Sequence, residues 1–193
     1  MSAFVPVGNR LVLGSKSPQR QAILGALGVS FAVRPSGFAE VEAGDAVAVA
    51  RGNAVGKALA VARSEGETVL GVDTVVSLDG RLWGKPADEA DARETLLALS
   101  GRTHVVVSGV AVVTGEGEPS TATCSTAVVF RALDEATLAW YLERGEWRER
   151  AGGYAIQGAG SALVSSIDGD WTNVVGLPVG TLLELLPGLL AAT

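Results

Sequence analysis

The apolar residues of this chain come in short runs, each cut by glycine, proline or charge, and that punctuation limits what it can fold into. Hydrophobic residues fill 48% of the 193 positions and the mean hydropathy is +0.33. A bilayer-spanning helix needs about 20 consecutive apolar residues. The most apolar stretch, 176–192, is interrupted by Pro178, Glu184 and Pro187. The opening residues, MSAFVPVGNR, lack the basic-then-apolar pattern of a signal peptide. The expectation is a chain with no membrane partner, placed in the cytoplasm, its apolar runs buried in a large dry core. A chain of this length buries roughly 70% of its unfolded surface. One domain over residues 1–193 is expected.

The runs set the fold class. An apolar strand is predicted at 10–14. A helix follows over 18–27, with Ser17 as N-cap, Pro18 in its first turn and Gly28 beyond its end. Residues 29–35 read as β. An Ala/Val-rich helix is expected over 46–64 and a strand over 67–78, turned at Asp79-Gly80, a two-residue hairpin signal. Asp88 can cap a helix to Leu99. Long apolar strands are predicted at 104–114 and 121–130, then a helix at 134–144, a strand at 161–167 and a last helix at 178–190. Strands alternate with helices but also join in hairpins. That pattern predicts an α/β fold with a mixed, curved central sheet flanked by helices, over a purely parallel one.

Composition removes several chemistries. A single cysteine, Cys124, allows no intrachain disulfide and no thiolate zinc cluster. The single histidine, His104, opens an apolar strand and reads as a structural residue; Cys124 reads as a small core residue. With 15 Lys+Arg against 21 Asp+Glu the net charge is −6, which disfavours non-specific nucleic-acid binding. Two motif-like segments fail on spacing. Gly80 to Pro86 has three residues between its glycines and a proline after the lysine, so it is not a phosphate-binding P-loop. Asp168-Gly169-Asp170 lacks the spacing and terminal glutamate of a calcium loop.

Three segments carry groups able to do chemistry. In Gly14-Ser15-Lys16-Ser17-Pro18-Gln19-Arg20 a strand gives way to a helix start. Free N–H groups, two hydroxyls, a lysine and an arginine converge there, a good cradle for an anion. In Gly71-Val72-Asp73-Thr74 a carboxylate interrupts an apolar strand, and a buried carboxylate must be paired, bind metal or become neutral. The hairpin after Asp73 delivers Lys85 to the same end of the ribbon, which suits a site where metal and phosphate meet. Between Ala151 and Gly160 a glycine-dense stretch surrounds Tyr154 and Gln157. The amide of Gln157 can donate and accept, as reading a base edge requires.

Taken in order, these segments make the chain resemble the Maf family of nucleoside triphosphate pyrophosphatases. The resemblance rests on SKSPQR at 15–20, GVDTVVSLDGRLWGKP at 71–86, LSGRTH at 99–104, RAGGYAIQG at 150–158 and NVVGLP at 173–178. It implies a Maf/inosine-triphosphatase-like fold with two lobes around a cleft. It implies hydrolysis of a nucleoside triphosphate to the monophosphate and pyrophosphate with Mg²⁺ or Mn²⁺. By the same resemblance Asp73 is the catalytic carboxylate and Glu40, with Asp73, a metal or water ligand. Ser15, Lys16, Ser17, Arg20 and Lys85 would bind the triphosphate. Thr74 and Gln157 match the dTTP/UTP type, whereas Gln19 stands where that type has arginine and the 7-methyl-GTP type has tryptophan. Asn53 stands where the family usually has a basic residue, and Lys57 lies one helical turn further on. A homodimer and a link to arrest of septum formation are further implications. The alternative reading is a regulatory nucleotide-binding protein of septum formation without turnover.

Overall fold

A computed structural model describes residues 10–192; the opening residues read above for a leader pattern, 1–9, and Thr193 lie outside the described residues. The chain runs β1 (Arg10–Leu13), α1 (Pro18–Ala26), β2 (Phe31–Val33), α2 (Ala46–Ala60), β3 (Glu67–Leu78), β4 (Arg81–Trp83), α3 (Glu89–Leu99), β5 (Thr103–Thr114), β6 (Ser120–Phe130), α4 (Glu135–Arg144), β7 (Val164–Asp168), α5 (Trp171–Val175) and α6 (Val179–Leu185). Short 3₁₀ turns lie at Ala151–Gly153, Ala159–Leu163 and Leu189–Ala192.

The strands form one seven-stranded mixed sheet in the order β2-β1-β3-β5-β6-β7, with β4 also paired to β3. β1 pairs in parallel with β2 and β3; the other ladders are antiparallel. The outer edge of β3 is shared: β1 pairs with Glu67–Leu70 and β4 with Val76–Leu78. Between them residues 71–75, Asp73 and Thr74 included, have no strand on that side, while β5 backs them continuously. The site opens in that gap, and the end of β1 leads straight into the Ser15–Arg20 segment.

The core divides accordingly. Leu96, Phe130, Leu138, Tyr141 and Trp147 pack beneath α3 and α4 against the far half of β3. Leu13, Leu24, Val72, Leu177 and Leu182 pack between the near half of the sheet, α1 and α6. Ala54, Ala58, Val69 and Ala111 seal α2 onto the opposite face. The long strands β3 and β5 join both lobes.

Local chemistry explains the boundaries. Ser17, Asp45, Asp88, Asp134 and Asp170 each accept a backbone N–H in the first turn of α1, α2, α3, α4 and α5. Asp79 and Gly80 both have positive φ, 52° and 77°, as a tight hairpin turn requires. Three boundaries shift by three residues or more and one helix has no counterpart in the expectation; the helix expected over 46–64 ends at Ala60. The strand expected from residue 161 begins only at Val164, after a 3₁₀ turn. The last helix stops at Leu185 because Pro187 lacks an N–H to continue it. The one-and-a-half turns of α5, started by Asp170, are too short for a periodic signal. Among the described residues, no helix is long and apolar enough to cross a membrane.

Candidate active site

Asp73 sits where α2 touches the sheet backbone. Gly71 and Gly109, the latter paired with Asp73 across the ladder, make that contact possible. A Cβ on Gly71 would lie 2.2 Å from the Ala54 carbonyl oxygen, and one on Gly109 2.3 Å from that of Ala50. The close approach brings Asn53 and Lys57, neighbours on one face of α2, onto the Asp73 carboxylate. The Lys57 ammonium donates to Oδ1 at 2.6 Å and the Asn53 amide to Oδ2 at 2.9 Å. All three side chains are buried.

Lys57 also pairs with Glu40 at 2.7 Å, so one ammonium bridges two carboxylates. Glu40 arrives on an irregular segment fastened to α2 at two points. The Asn53 side chain makes both hydrogen bonds to the backbone of Val41, at 2.8 and 2.9 Å. The ring of Phe38 fills the space where Gly56 has no side chain; a Cβ there would come within 2.2 Å of it. Glu40 remains 41% exposed on its side chain and faces the cleft.

Successive strand residues point to opposite faces, so Thr74 meets different partners. Its Oγ1 lies 2.8 Å from Ser108 Oγ and accepts from Arg20 Nη2 at 3.3 Å. Arg20 also donates from Nε to the Gly176 carbonyl and from Nη1 to Ser15 Oγ, both at 2.9 Å. Burial pulls the Arg20 pKa below its usual value, against the opposing fields of Asp73 and Glu40. Ser17 caps α1 by accepting from the Arg20 N–H and donates its hydroxyl to Gln19.

The third wall is the glycine-dense loop. Gly152 donates its N–H to the Gly84 carbonyl at 3.0 Å, tying this loop to the turn that carries Lys85. The Tyr154 hydroxyl meets His104 Nε2 at 2.9 Å, and the Tyr141 hydroxyl accepts from Ala155 N at 3.1 Å. Both phenols titrate above their usual range because they are buried, Tyr141 pushed up to about 12. Burial lowers the His104 pKa to about 4, so the imidazole is neutral at pH 7 and serves as a buried strut. Cys124 is half-buried on β6.

These walls enclose a cleft of about 590 Å³. It is lined by Ser15, Lys16, Ser17, Gln19, Arg20, Glu40, Asp73, Thr74, Lys85 and Gln157, and so collects every site residue singled out in the sequence. One juxtaposition differs. Lys85 reaches the cleft but pairs with Glu149 at 3.6 Å, both side chains exposed, and the ammonium on Asp73 is that of Lys57. The β3–β4 ladder ends at Val76–Trp83, so the chain diverges before Lys85 can close on Asp73. Asn53 and Lys57 act as a pair, the amide and the ammonium each taking one oxygen of Asp73. Their spacing of four in an otherwise Ala/Val-rich helix is the sequence signal for it.

The model of the Maf-like protein family matches residues 10–189, nearly the whole described chain. The chain belongs to the Maf family. Relatives include a dTTP/UTP pyrophosphatase of Symbiobacterium thermophilum, 43% identical with 92% of each chain covered. Another of the same name, from Oleidesulfovibrio alaskensis, is 47% identical over 91% of this chain and 83% of its own. A third, from Pyrococcus furiosus, is 39% identical over 92% and 94%. The solved structure of a HAM1 protein from Coxiella burnetii shares the fold, with a TM-score of 0.52 at 18% identity, covering 96% of this chain and all of that one. The Maf chain thus shares its overall fold with a structure of quite different sequence.

Proposed function

We propose that this Maf protein hydrolyses a nucleoside triphosphate, of the dTTP/UTP type, to the monophosphate and pyrophosphate. The observation that carries the reading is the Glu40–Lys57–Asp73 cluster, facing the hydroxyl- and cation-rich start of α1 across one cleft. The names of the relatives support the substrate class. In this reading the segment Ser15–Arg20 and Lys85 hold the triphosphate, through N–H groups, hydroxyls and cations. Arg20, whose three nitrogens already bind Ser15, Thr74 and Gly176, fixes the shape of that cradle as well as its charge. Asp73 accepts the proton of the attacking water, or orients it towards the α-phosphorus. Lys57 and Asn53 keep its carboxylate in register. Thr74, Gln19 and Gln157 set base preference.

The donor set suits Mg²⁺ or Mn²⁺. Carboxylate oxygens of Asp73 and Glu40 are hard ligands. Among the described residues no group of three or more His, Cys, Asp or Glu could hold an ion alone. Asp73 and Glu40 would hold such a cation only together with substrate phosphates, as is usual for Mg²⁺ at triphosphates. When bound, it supplies charge neutralisation and a more acidic water.

The test is a panel of canonical and modified triphosphates with purified protein, with and without Mg²⁺ or Mn²⁺, scored for pyrophosphate. UTP and dTTP are expected to yield monophosphate and pyrophosphate in the presence of metal only. Nucleotide binding without product under every condition would overturn the hydrolytic reading in favour of a binding protein.

A further inference from the structure

Two cationic groups of the cleft, Arg148 and Arg150, belong neither to the triphosphate cradle nor to the carboxylate cluster; Arg148 stacks over the Trp147 ring, and Arg150 has no such partner among the described residues. Its Nε is buried and has no hydrogen-bond partner among the described residues. A guanidinium carries five donors and cannot shed its charge. Leaving one of those donors buried and unpaired costs free energy that a folded chain seldom tolerates without a use for it.

The backbone around Arg150 leaves little freedom. Its own N–H donates to Trp147, and the Gly152 N–H donates to Gly84. Gly152 and Gly153 take φ of 70° and 69°, open to glycine but strained for other residues. A Cβ on Gly152 would press on Val76 at 3.0 Å, so the turn lies flat on β3. Arg150 is among the residues that line the cleft. Its positive charge is felt at the Tyr141 hydroxyl, the group that anchors the Ala155 N–H. Arg150 therefore belongs to the wall of Tyr154, Ile156 and Gln157, an aromatic, an aliphatic and an amide. The opposite wall, with Lys16, Arg20 and Asp73, carries the groups suited to phosphate.

We infer that Arg150 is a substrate-binding and base-selecting residue, its guanidinium donating to a carbonyl oxygen of the nucleobase beside Gln157. This rests on the nucleotide reading above. The chemistry separates bases cleanly. Uracil and thymine present carbonyl oxygens, whereas adenine presents none. Phosphate, by contrast, is the same in every substrate.

The experiment compares wild type, Arg150→Gln and Arg150→Lys for KM and kcat on UTP and ATP, with inorganic triphosphate as a competitive inhibitor. A hydrogen bond to a charged donor corresponds to about 10- to 100-fold in binding. Arg150→Gln is expected to raise KM for UTP by about 10-fold or more, with kcat changed less than about threefold. KM for ATP and inhibition by inorganic triphosphate stay within about twofold, so the preference for UTP over ATP collapses by the same factor. Arg150→Lys, which keeps the charge but loses the planar donor, recovers only part of the loss. Equal losses on UTP and ATP with weakened inhibition by inorganic triphosphate would assign Arg150 to phosphate and overturn the inference. Unchanged KM for UTP would overturn it as well. A wild type that turns over neither triphosphate would instead sink the nucleotide reading on which it rests. Thermal melts of both variants show whether a loss comes from unfolding, and Arg150→Lys then carries the comparison.

Discussion

Replacing Lys57 by methionine tests the buried cluster most sharply. The side chains are close in length, so the perturbation is the loss of the ammonium. In the wild type that ammonium lies 2.6 Å from Asp73 and 2.7 Å from Glu40, with Lys57 and Asp73 both less than a tenth exposed. Removing one partner of a buried pair leaves the other charge uncompensated, which typically costs 3–5 kcal/mol. Glu40 reaches solvent and Asp73 retains the Asn53 amide, so the lower end, about 3 kcal/mol, is expected. For a chain of this size that lowers Tm by about 6–12 °C. The double variant Lys57→Met, Asp73→Asn removes both buried charges and should melt well above the sum of the single losses, with a coupling of at least about 1 kcal/mol. Thermal or urea unfolding of the four proteins at pH 7 measures it. A Lys57→Met variant melting within about 2 °C of wild type, or strict additivity in the cycle, would refute the claim that this ammonium holds the carboxylates together.

Two other predictions follow from the same geometry. Gly109→Ala places a Cβ against the Ala50 carbonyl and forces α2 to retreat by about 1 Å, carrying Asn53 and Lys57 off Asp73; a stability loss of about 1–3 kcal/mol with a larger loss of activity is expected, and full activity would contradict the close-packing argument. His104, with its pKa lowered to about 4 by burial, takes up a proton more readily in the unfolded chain, so its contribution to stability is full above about pH 6.5 and falls by about 3 kcal/mol as pH drops to about 4. Denaturant unfolding of wild type and His104→Phe across that window should show a steeper acid loss in the wild type.

Much of this was legible in the chain. The Asp79-Gly80 turn, the aspartate caps and the long apolar runs announce their elements because each rests on local chemistry. The gathering of Ser15, Arg20, Asp73, Lys85 and Gln157 at one cleft could be anticipated from motif order. The partner of Asp73 could not be anticipated from motif order; the Asn53–Lys57 spacing marks the pair but not what it meets. That depends on how closely α2 approaches the sheet, which Gly71 and Gly109 decide from residues remote in sequence. Hairpin arithmetic put Lys85 there because it assumed a ladder longer than the three pairs that β4 forms. The anchoring of Glu40 escaped for a similar reason, since it hangs on the Asn53–Val41 bonds and on Phe38 against Gly56. Arg150 carries no periodic or motif signal of an unpaired donor; only its surroundings reveal one.

The most direct measurement of the central claim is turnover of UTP and dTTP in heavy-oxygen water by wild type and Asp73→Asn, with Mg²⁺ or Mn²⁺ present. The account predicts pyrophosphate release by the wild type, with label entering the monophosphate alone, as attack at the α-phosphorus requires. It predicts that Asp73→Asn, still folded, loses at least about 100-fold in kcat. A folded Asp73→Asn that hydrolyses at the wild-type rate, or label found in pyrophosphate, would contradict it.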